Sequence, residues 1–395
     1  MGSRRNIPFC RIVCDGNELN YIRKTLESGW LTTAGRCLEF EKRFAEKVGG
    51  RYACAVNSGT AALHLACEAV GIGEGDKVFV PTMTFTASAE VLRYLRADPV
   101  LLDVEYGTCL ITPEILEDGI RKFPDAKAVV IVHLGGQAAR LLGDNAGGQS
   151  PGILDLCKLR GLKLIEDAAH AFPARHRGRM IGSFGDATCF SFYANKTITT
   201  GEGGMLVTDE QDLYERAKVM RLHGINRDIW ERFTSPLKGW EYDVVAPGFK
   251  YNMPDVNAAI GLAQLERADE FRRERQRCAE RYYTGLAGLE ALDLPVCSWS
   301  MEDHAWHLFW IVLNERAMIS RDAFIENLTA AGIGTSVHYK PLHRMTYYRE
   351  RYGLKPEQFP NAERHWRGVV SLPIYPSLTN RELEYICGII REAVG

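Results

Sequence analysis

Lys196 is the residue whose setting in this sequence most clearly suggests chemistry. It follows the apolar run 187–192 and opens a turn of small, polar and glycine residues that extends to Gly204. An amine that aromatic side chains and backbone shield from water loses its proton near neutral pH and can then attack an aldehyde. We therefore interpret Lys196 as a lysine that forms a Schiff base, although a solvent-exposed turn lysine fits the same residues.

Asp167 and His170 follow a second apolar run, 162–166. This position is the carboxyl end of a predicted strand, where open α/β sheets bind ligands. A carboxylate here can keep the pyridine nitrogen of pyridoxal 5'-phosphate (PLP) protonated, so that the ring withdraws electrons from the reacting carbon. On a following helical turn His170 would share a face with Asp167 and reach the same ring. A helix cap at Asp167 and a core histidine at His170 are the alternatives.

The start of another predicted helix suits a phosphate. Ser58, Gly59 and Thr60 precede an amphipathic run that ends at Gly71. The free amides and the positive end of the helix dipole contribute about 0.3–2 kcal/mol to holding an anion. The hydroxyls of Ser58, Thr60 and Ser191 add donors, although a plain N-cap explains Ser58 equally well.

Phe85 is the candidate that would cover a bound pyridine ring. It lies in the polar segment 81–88, directly after the predicted strand 77–80. A flat aromatic side chain can stack on the face of such a ring. A core aromatic residue between a strand and a helix is the alternative.

The elements that must hold these residues together follow from the apolar pattern. Short apolar strands alternate with longer helical runs, which is typical of a mostly parallel sheet with helices on both faces. The predicted strands are 77–80, 100–103, 128–133, 162–166, 187–192 and 205–208. A helical run at 257–280 leads away from this sheet. We predict an α/β fold with a large PLP-binding domain, 1–256, and a smaller C-terminal α/β domain, 257–395.

Composition favours a soluble cytoplasmic protein and excludes several partners. The chain has 395 residues and a formal net charge of -2, which indicates neither a nucleic-acid nor a membrane partner. It contains no apolar run of about 20 residues and no signal-peptide core near Met1. Its 11 cysteines are irregularly spaced, which favours reduced thiols over a disulfide framework. Cys10 and Cys14 lack a second pair or nearby histidines, so we predict no metal site.

Two other enzyme classes lack their sequence signatures. There is no G-x-G-x-x-G after an early strand, which argues against a nicotinamide-dependent oxidoreductase, and no G-x-x-x-x-G-K-[ST] of a P-loop NTPase. A non-catalytic regulator or scaffold with a PLP-type fold stays open as an alternative.

Taken together in chain order, the motifs resemble the DegT/StrS-type sugar aminotransferases, which belong to the fold-type I PLP enzymes. Any one motif is loose, whereas the ordered set is specific and covers nearly the whole chain. The matching stretches are 27–33 (ESGWLTT), 57–61 (NSGTA), 81–85 (PTMTF), 132–134 (VHL), 166–170 (EDAAH), 190–204 (FSFYANKTITTGEGG), 248–253 (GFKYNM), 306–309 (WHLF) and 337–343 (VHYKPLH).

The resemblance implies a role for each candidate. Lys196 would bind PLP covalently, Asp167 would pair with the pyridine nitrogen, and His170 would lie near the phenolic oxygen. The phosphate would be held by Ser58, Gly59, Thr60 and Ser191, with Phe85 stacked on the ring. Asn252, which the sequence alone marks only as a turn residue, would reach the phosphate site of a neighbouring subunit. The resemblance therefore implies a homodimer with shared active sites.

The reaction implied is transamination, since relatives that dehydrate sugars have lost the lysine that this chain keeps. The implied donor is glutamate and the acceptor a nucleotide-linked keto sugar. Segments 29–33, 250–252, 304–307 and 195–199 look most like members that aminate C4 of a UDP-sugar for surface polysaccharide or lipid A decoration. Amination at C3 of a dTDP-sugar or of a cyclitol ketone is the alternative.

Two further features of the substrate site are predicted without a settled role. Arg227, Trp230 and His338 are candidates to clamp the nucleotide, with surface or packing roles as alternatives. The segment 140–152 is longer than the connection usual in the family. We interpret it as a surface loop that could instead shape the acceptor site.

Overall fold

A seven-stranded sheet forms the centre of the molecule. The computed structural model describes residues 6–143, 150–226 and 242–394. The strand order is β1-β9-β8-β5-β4-β2-β3. The strands of this sheet are β1 Tyr52–Val56, β2 Lys77–Pro81, β3 Asp98–Leu102, β4 Ala128–Val132, β5 Lys163–Asp167, β8 Ala187–Ser191 and β9 Gly204–Thr208. A separate two-stranded ribbon pairs β6 Arg175–His176 with β7 Arg179–Met180.

The sheet is mostly parallel, as predicted, and its register sets the position of the site. Strands β3, β2, β4, β5 and β8 pair in parallel, and only β9 runs antiparallel to its neighbours β1 and β8. Val132 pairs with Asp167, and Asp167 pairs with Cys189. The carboxyl ends of three strands therefore lie level at one edge. Each predicted strand is present with bounds within two residues, and β1 is an additional strand of this sheet.

Helices cover both faces of this sheet. The helices along the chain are α1 Glu18–Glu27, α2 Gly35–Val48, α3 Gly59–Ala69, α4 Ala87–Tyr94, α5 Pro113–Lys122, α6 Ile153–Arg160, α7 Gln211–Met220, α8 Asp255–Glu266, α9 Ala268–Leu286, α10 Arg321–Ala330, α11 Thr346–Tyr352, α12 Pro360–Gly368 and α13 Asn380–Val394. Apolar side chains of α2, α5, α6 and α8 pack on one face and those of α3, α4 and α7 on the other. The α/β class with both faces covered is therefore confirmed.

Local sequence explains where the site-bearing helices begin and end. The Ser58 hydroxyl accepts a hydrogen bond from the Ala61 amide at 3.0 Å and caps α3. Gly71 follows the end of α3 with a φ of +82°, the left-handed conformation that glycine adopts without strain. The predicted start and stop of this helix are thus both present.

A smaller sheet lies in the C-terminal part. It consists of β10 Leu292–Asp293, β11 Phe309–Leu313 and β12 Val369–Leu372, all antiparallel. Helices α9, α10 and α13 pack on it through buried Tyr282, Phe324 and Ile386. Ile7, from the N-terminal segment, joins the same core. Its backbone amide donates to Gly332 O at 2.8 Å.

The helical run predicted at 257–280 is corrected to two helices. Arg267 separates α8 from α9 with a ψ of 3°, well outside the helical range. Helix α8 packs against α1 and α2 beside the large sheet, whereas α9 packs against α13 beside the small one. The packing partners thus change at Arg267, and the domain boundary after residue 256 stays a prediction. Within the described ranges, no helix combines the length and apolarity needed to cross a membrane.

Candidate active site

A cavity opens at the carboxyl ends of the parallel strands. Its volume is about 500 Å³. Val132 of β4, Asp167 of β5 and Ser191 of β8 line it, together with Thr84 and Phe85 beyond β2. This is the edge where ligands of open α/β sheets bind. The sheet register thus brings distant sequence motifs into one space.

Lys196 lies in the turn between β8 and β9 and is half-buried against this cavity. Its backbone amide donates to Tyr193 O at 2.9 Å, which fixes the turn. Burial lowers the pKa of the Lys196 amine to about 8, assisted by the positive charge of Arg275 and opposed by the carboxylate of Asp167. A larger fraction of this amine is therefore unprotonated near neutral pH than of an ordinary lysine, and the unprotonated form is the one that a nucleophilic lysine requires.

Asp167 is buried at the end of β5 and held by two donors. Its Oδ2 accepts from the Ser88 hydroxyl at 2.6 Å, and its Oδ1 accepts from the Ala169 amide at 3.1 Å. Thr84 Oγ1 lies 2.8 Å from Ser88 Oγ and donates to it, because the Ser88 hydrogen is given to Asp167. Burial raises the pKa of Asp167 despite these bonds. A cation placed against it in the cavity would stabilise the carboxylate, which fits a protonated pyridine nitrogen.

The local structure after Asp167 differs from the helical turn expected there. Residues 168–174 form turns, so Asp167 caps no helix. His170 nevertheless lines the cavity beside it, because the turn reverses the chain. The helix-cap alternative for Asp167 is therefore wrong.

His170 is held in one tautomer by its neighbours. Its Nδ1 accepts from the Gly135 amide at 3.3 Å, and its Nε2 lies 3.2 Å from the Tyr339 hydroxyl. Burial lowers the pKa of His170 well below its usual value, so the ring is neutral with its hydrogen on Nε2. Gly135 has a φ of +70°, and a Cβ there would lie 2.4 Å from the Trp310 ring. Only glycine therefore presents its amide to His170.

Ser58, Gly59, Thr60 and Ser191 form a close cradle at the N-terminus of α3. A Cβ on Gly59 would lie 2.9 Å from the Ser191 Cβ. One on Gly204 would lie 2.4 Å from the Ser58 carbonyl oxygen. The backbones thus approach as only glycine permits, and the Ser58, Thr60 and Ser191 side chains all line the cavity. Helix amides with converging hydroxyls fit a phosphate group.

Phe85 and Asn252 occupy different settings. Phe85 lines the cavity with 57 % of its surface exposed, and its ring centroid lies 6.1 Å from that of Tyr339. Asn252 is buried and does not line this cavity. Its amide donates to Thr33 Oγ1 at 2.7 Å, and its oxygen accepts from Lys250 Nζ at 2.6 Å. The Asn252 contact with a second subunit stays a prediction.

Of the three candidate nucleotide contacts, one falls in the described structure. His338 lines the cavity, and its Nδ1 lies 2.8 Å from Ser371 Oγ. Arg227 and Trp230 lie outside the described residues, as does the 144–149 part of the predicted surface loop. The described ends of that loop are joined, since the amides of Gly143 and Gly152 both donate to Asp155 Oδ2.

Three residues at the site were not assigned from the sequence. Ser88 holds Asp167, Tyr339 contacts His170, and the His307 ring lies 4.3 Å from the His170 ring. Tyr339 and His307 belong to the quoted motifs 337–343 and 306–309, which was the available signal. Ser88 had none beyond its place in the segment after β2.

Comparisons with known proteins agree with this geometry. Residues 13–391 match the DegT/DnrJ/EryC1/StrS aminotransferase family. The chain is 40% identical over 400 residues to SpsC of Bacillus subtilis (strain 168), named a spore coat polysaccharide biosynthesis protein, covering 100% of this chain and 99% of SpsC. Among solved structures, the aminotransferase TlmJ from Streptoalloteichus hindustanus has a TM-score of 0.86 at 31% identity, covering 98% of this chain and 99% of its own.

A further solved structure bears on the cofactor. Spr1654 from Streptococcus pneumoniae, in its PMP-form, has a TM-score of 0.86 at 30% identity and covers 98% of this chain and 99% of its own. It has also been solved in a PLP-form. The residues described above fit that cofactor, because they supply a reactive amine, a buried carboxylate and a phosphate cradle in one cavity. The chain therefore belongs to the DegT/DnrJ/EryC1/StrS aminotransferase family and is a PLP-dependent sugar aminotransferase.

Proposed function

We propose that this enzyme transfers an amino group from glutamate to C4 of a UDP-linked keto sugar in the cytoplasm, for surface polysaccharide or lipid A sugar synthesis. The observation that carries the proposal is the Lys196 amine, whose pKa is lowered to about 8 and which shares a cavity with Asp167 and the phosphate cradle. The name of SpsC supports a polysaccharide product. The motifs at 29–33, 250–252 and 304–307 support the C4 position.

Lys196 is proposed to carry protons during the transfer. Bound PLP supplies an aldehyde that takes up the amino group and a ring that draws electrons from the reacting carbon. Roughly a tenth of an amine with a pKa of about 8 is unprotonated at pH 7. Lys196 can therefore take a proton from the donor carbon and pass it to the cofactor in the first half-reaction, and in the second take a proton from the cofactor and pass it to the acceptor carbon. The same residue can act in both half-reactions because the keto acid formed from glutamate, 2-oxoglutarate, leaves before the sugar enters.

Asp167, His170 and the cradle are proposed to orient the cofactor. Asp167 Oδ2 and Oδ1 each keep lone pairs beyond the bonds from Ser88 and Ala169, which suits them to accept from a pyridine N–H. His170 carries a hydrogen on Nε2 at the cavity wall, which suits donation to a phenolic oxygen. The α3 amides and the Ser191 hydroxyl are proposed to bind the phosphate.

The active form is proposed to be a homodimer with shared sites. Phe85 and Tyr193 line the cavity with 57 % and 48 % of their surfaces exposed in the single chain, which is high for aromatic residues at a ligand site. A second subunit at the cavity mouth would cover them and bring its own Asn252. Sedimentation of the active, PLP-loaded enzyme should give a dimer, and an active monomer would contradict this proposal.

The test combines a spectrum with a substrate panel. Purified protein supplied with PLP should show the visible absorption of lysine-bound cofactor, and glutamate should remove it. UDP-4-keto sugars, dTDP-3-keto sugars and a cyclitol ketone should then be offered, with the aminated carbon located by mass spectrometry and NMR. A C4-aminated UDP-sugar supports the proposal. Turnover of only a dTDP-3-keto sugar or a cyclitol would overturn the substrate assignment.

The variant Lys196→Ala should lose turnover by at least about 1000-fold, because it removes both the covalent attachment and the proton carrier. Lys158→Ala, at an exposed position on α6, is the matched control and should keep normal turnover. Normal turnover in Lys196→Ala would exclude Lys196 from the chemistry.

A further inference from the structure

Arg275 of α9 is buried without an opposite charge among the described residues. It is 3% exposed, and its Nη1 donates to three backbone carbonyls: those of Ile374 at 2.8 Å and of Trp306 and His307 at 3.4 Å. Its Nε has no hydrogen-bond acceptor. Burying a cation is expensive unless it is paired. The neutral carbonyls compensate this charge only in part, so its field extends to its neighbours.

Lys196 is one of those neighbours. Arg275, Lys196 and the Cys10 thiol line the same small space behind the Lys196 turn. On its other side Lys196 lines the main cavity with Asp167. Lys196 thus adjoins a carboxylate in the main cavity and an uncompensated guanidinium in the small space. A nearby like charge disfavours the protonated form of an amine.

We propose that Arg275 is a positioning residue that acts through Lys196, its positive charge raising the unprotonated, reactive fraction of that amine near neutral pH. This inference rests on the proposed role of Lys196. The direction of the pKa of Lys196 agrees, since burial and then Arg275 lower it while Asp167 raises it. An arginine suits this task because its own proton is not lost at any working pH.

The other buried titratable groups around Lys196 are uncharged near pH 7. Burial lowers the pKa of His170, His307 and His338 and raises the pKa of Tyr339 and of the Cys10 thiol. Two charged residues beside Lys196 are exposed to solvent: Glu202 at the wall of the main cavity and Arg11 at the small space behind the turn. Asp167 and Arg275 therefore remain as the opposed buried charges that act on Lys196, in addition to the burial that lowers its pKa most.

The experiment measures the amine itself in the PLP-free protein. Lys196 is labelled with a trace amine-reactive reagent over a range of pH, and its peptide is quantified by mass spectrometry. Arg275→Gln should raise the midpoint of labelling by at least about 0.5 pH unit, which is roughly a threefold loss of labelling rate below the midpoint. Arg275→Lys, which keeps a cation, should shift it less. Asp167→Asn should shift it in the opposite direction.

Controls separate charge from structure. Arg273→Gln is the same substitution at an exposed position on α9 and should leave the midpoint unchanged. If Arg275 has only a structural role, Arg275→Gln will lower the melting temperature but will not move the midpoint of Lys196 labelling. That result would overturn the inference. Equal shifts in Arg275→Gln and Arg275→Lys would also overturn it. Because labelling needs no sugar or cofactor, a failed substrate assignment leaves this measurement unaffected.

Discussion

Glu166 and Asp167 are adjacent carboxylates on β5, both buried, yet their environments are opposite. Glu166 accepts from the Gly185 amide and the Thr188 hydroxyl at 2.8 Å and from His133 Nε2 at 2.9 Å. Burial alone would raise the pKa of Glu166, but these donors together hold it below its usual value. Glu166 is thus a charge whose counterparts are built into the chain.

Asp167 points to the other face of the strand, where the cavity lies. Two donors reach it, and burial raises its pKa above the usual value despite them. Asp167 therefore has fewer hydrogen-bond donors than Glu166, and it is also the one that faces a cavity where a ligand can bind. Of two neighbouring buried charges, the incompletely compensated one is therefore the better candidate for function.

The largest expected effect on stability comes from Glu166→Ala. It leaves the Gly185 amide, the Thr188 hydroxyl and the His133 Nε2–H buried without an acceptor, at about 1–3 kcal/mol for each donor. We expect the free energy of unfolding to fall by at least about 3 kcal/mol, measured by urea denaturation. Glu315→Ala, at an exposed turn, is the control and should change it little. A loss equal to that of the control would show that Glu166 is not a structural charge.

Glu166→Gln would not fully restore this site. His133 Nδ1 accepts from the Ala139 amide at 3.0 Å, so Nε2 of the ring carries a hydrogen. If the glutamine NH₂ faces His133 Nε2, two hydrogen-bond donors meet and no bond forms. If the glutamine oxygen faces Nε2 instead, the Gly185 and Thr188 donors lose their acceptor. We expect its stability to lie between those of the native protein and Glu166→Ala.

Asp167→Asn should have the reverse profile, with a large loss of activity and little loss of stability. The neutral amide cannot stabilise a protonated pyridine nitrogen, so kcat/KM should fall on the order of 100-fold or more. Fold stability should stay close to native because Ser88 can still bond to the amide. Steady-state kinetics and urea denaturation of the same preparation would measure both. Unchanged kinetics would remove Asp167 from the site.

The difference between these two residues could not be derived from the sequence. The motif 166–170 marks Asp167 as the functional carboxylate, and the strand and fold class followed from apolar alternation. The donors that distinguish the residues are distant in sequence, however, with Ser88 79 residues from Asp167 and His133 33 residues from Glu166. Such pairings depend on strand order, which a pattern of apolar residues does not specify.

The same reason explains the other differences between prediction and structure. Tyr339 reaches His170 across 169 residues, so its contact needed the packed C-terminal part. The break at Arg267 has no glycine or proline to signal it, and tertiary packing of α8 on α1 decides it. Short-range features, such as the helix cap at Ser58 and the helix end before Gly71, were predictable because they depend only on residues that are neighbours in the sequence.

Opposite pH dependences should separate the two carboxylates in the PLP-free protein. The folded pKa of Asp167 is raised, so the folded state holds its proton more tightly than the unfolded state does. The stabilising contribution of the protonated form is therefore lost as pH rises from about 3.9, the unfolded value, through the folded pKa. The folded pKa of Glu166 is lowered, so its contribution is present above about 4.3 and is lost as pH falls through the folded pKa.

Urea denaturation of the native protein, Asp167→Asn and Glu166→Gln from pH 3.5 to 7 would measure both dependences. The stability of Asp167→Asn relative to native should rise with pH, because the variant lacks the group that is penalised when ionised. The deficit of Glu166→Gln should shrink as pH falls, because the native protein then loses the charge that the variant already lacks. If stability changes with pH in the same way in all three proteins, the fold compensates the charges of the two carboxylates equally. If the stability relative to native rises with pH for Asp167→Asn and falls with pH for Glu166→Gln, these two adjacent residues of one strand differ in how fully the fold compensates their charges.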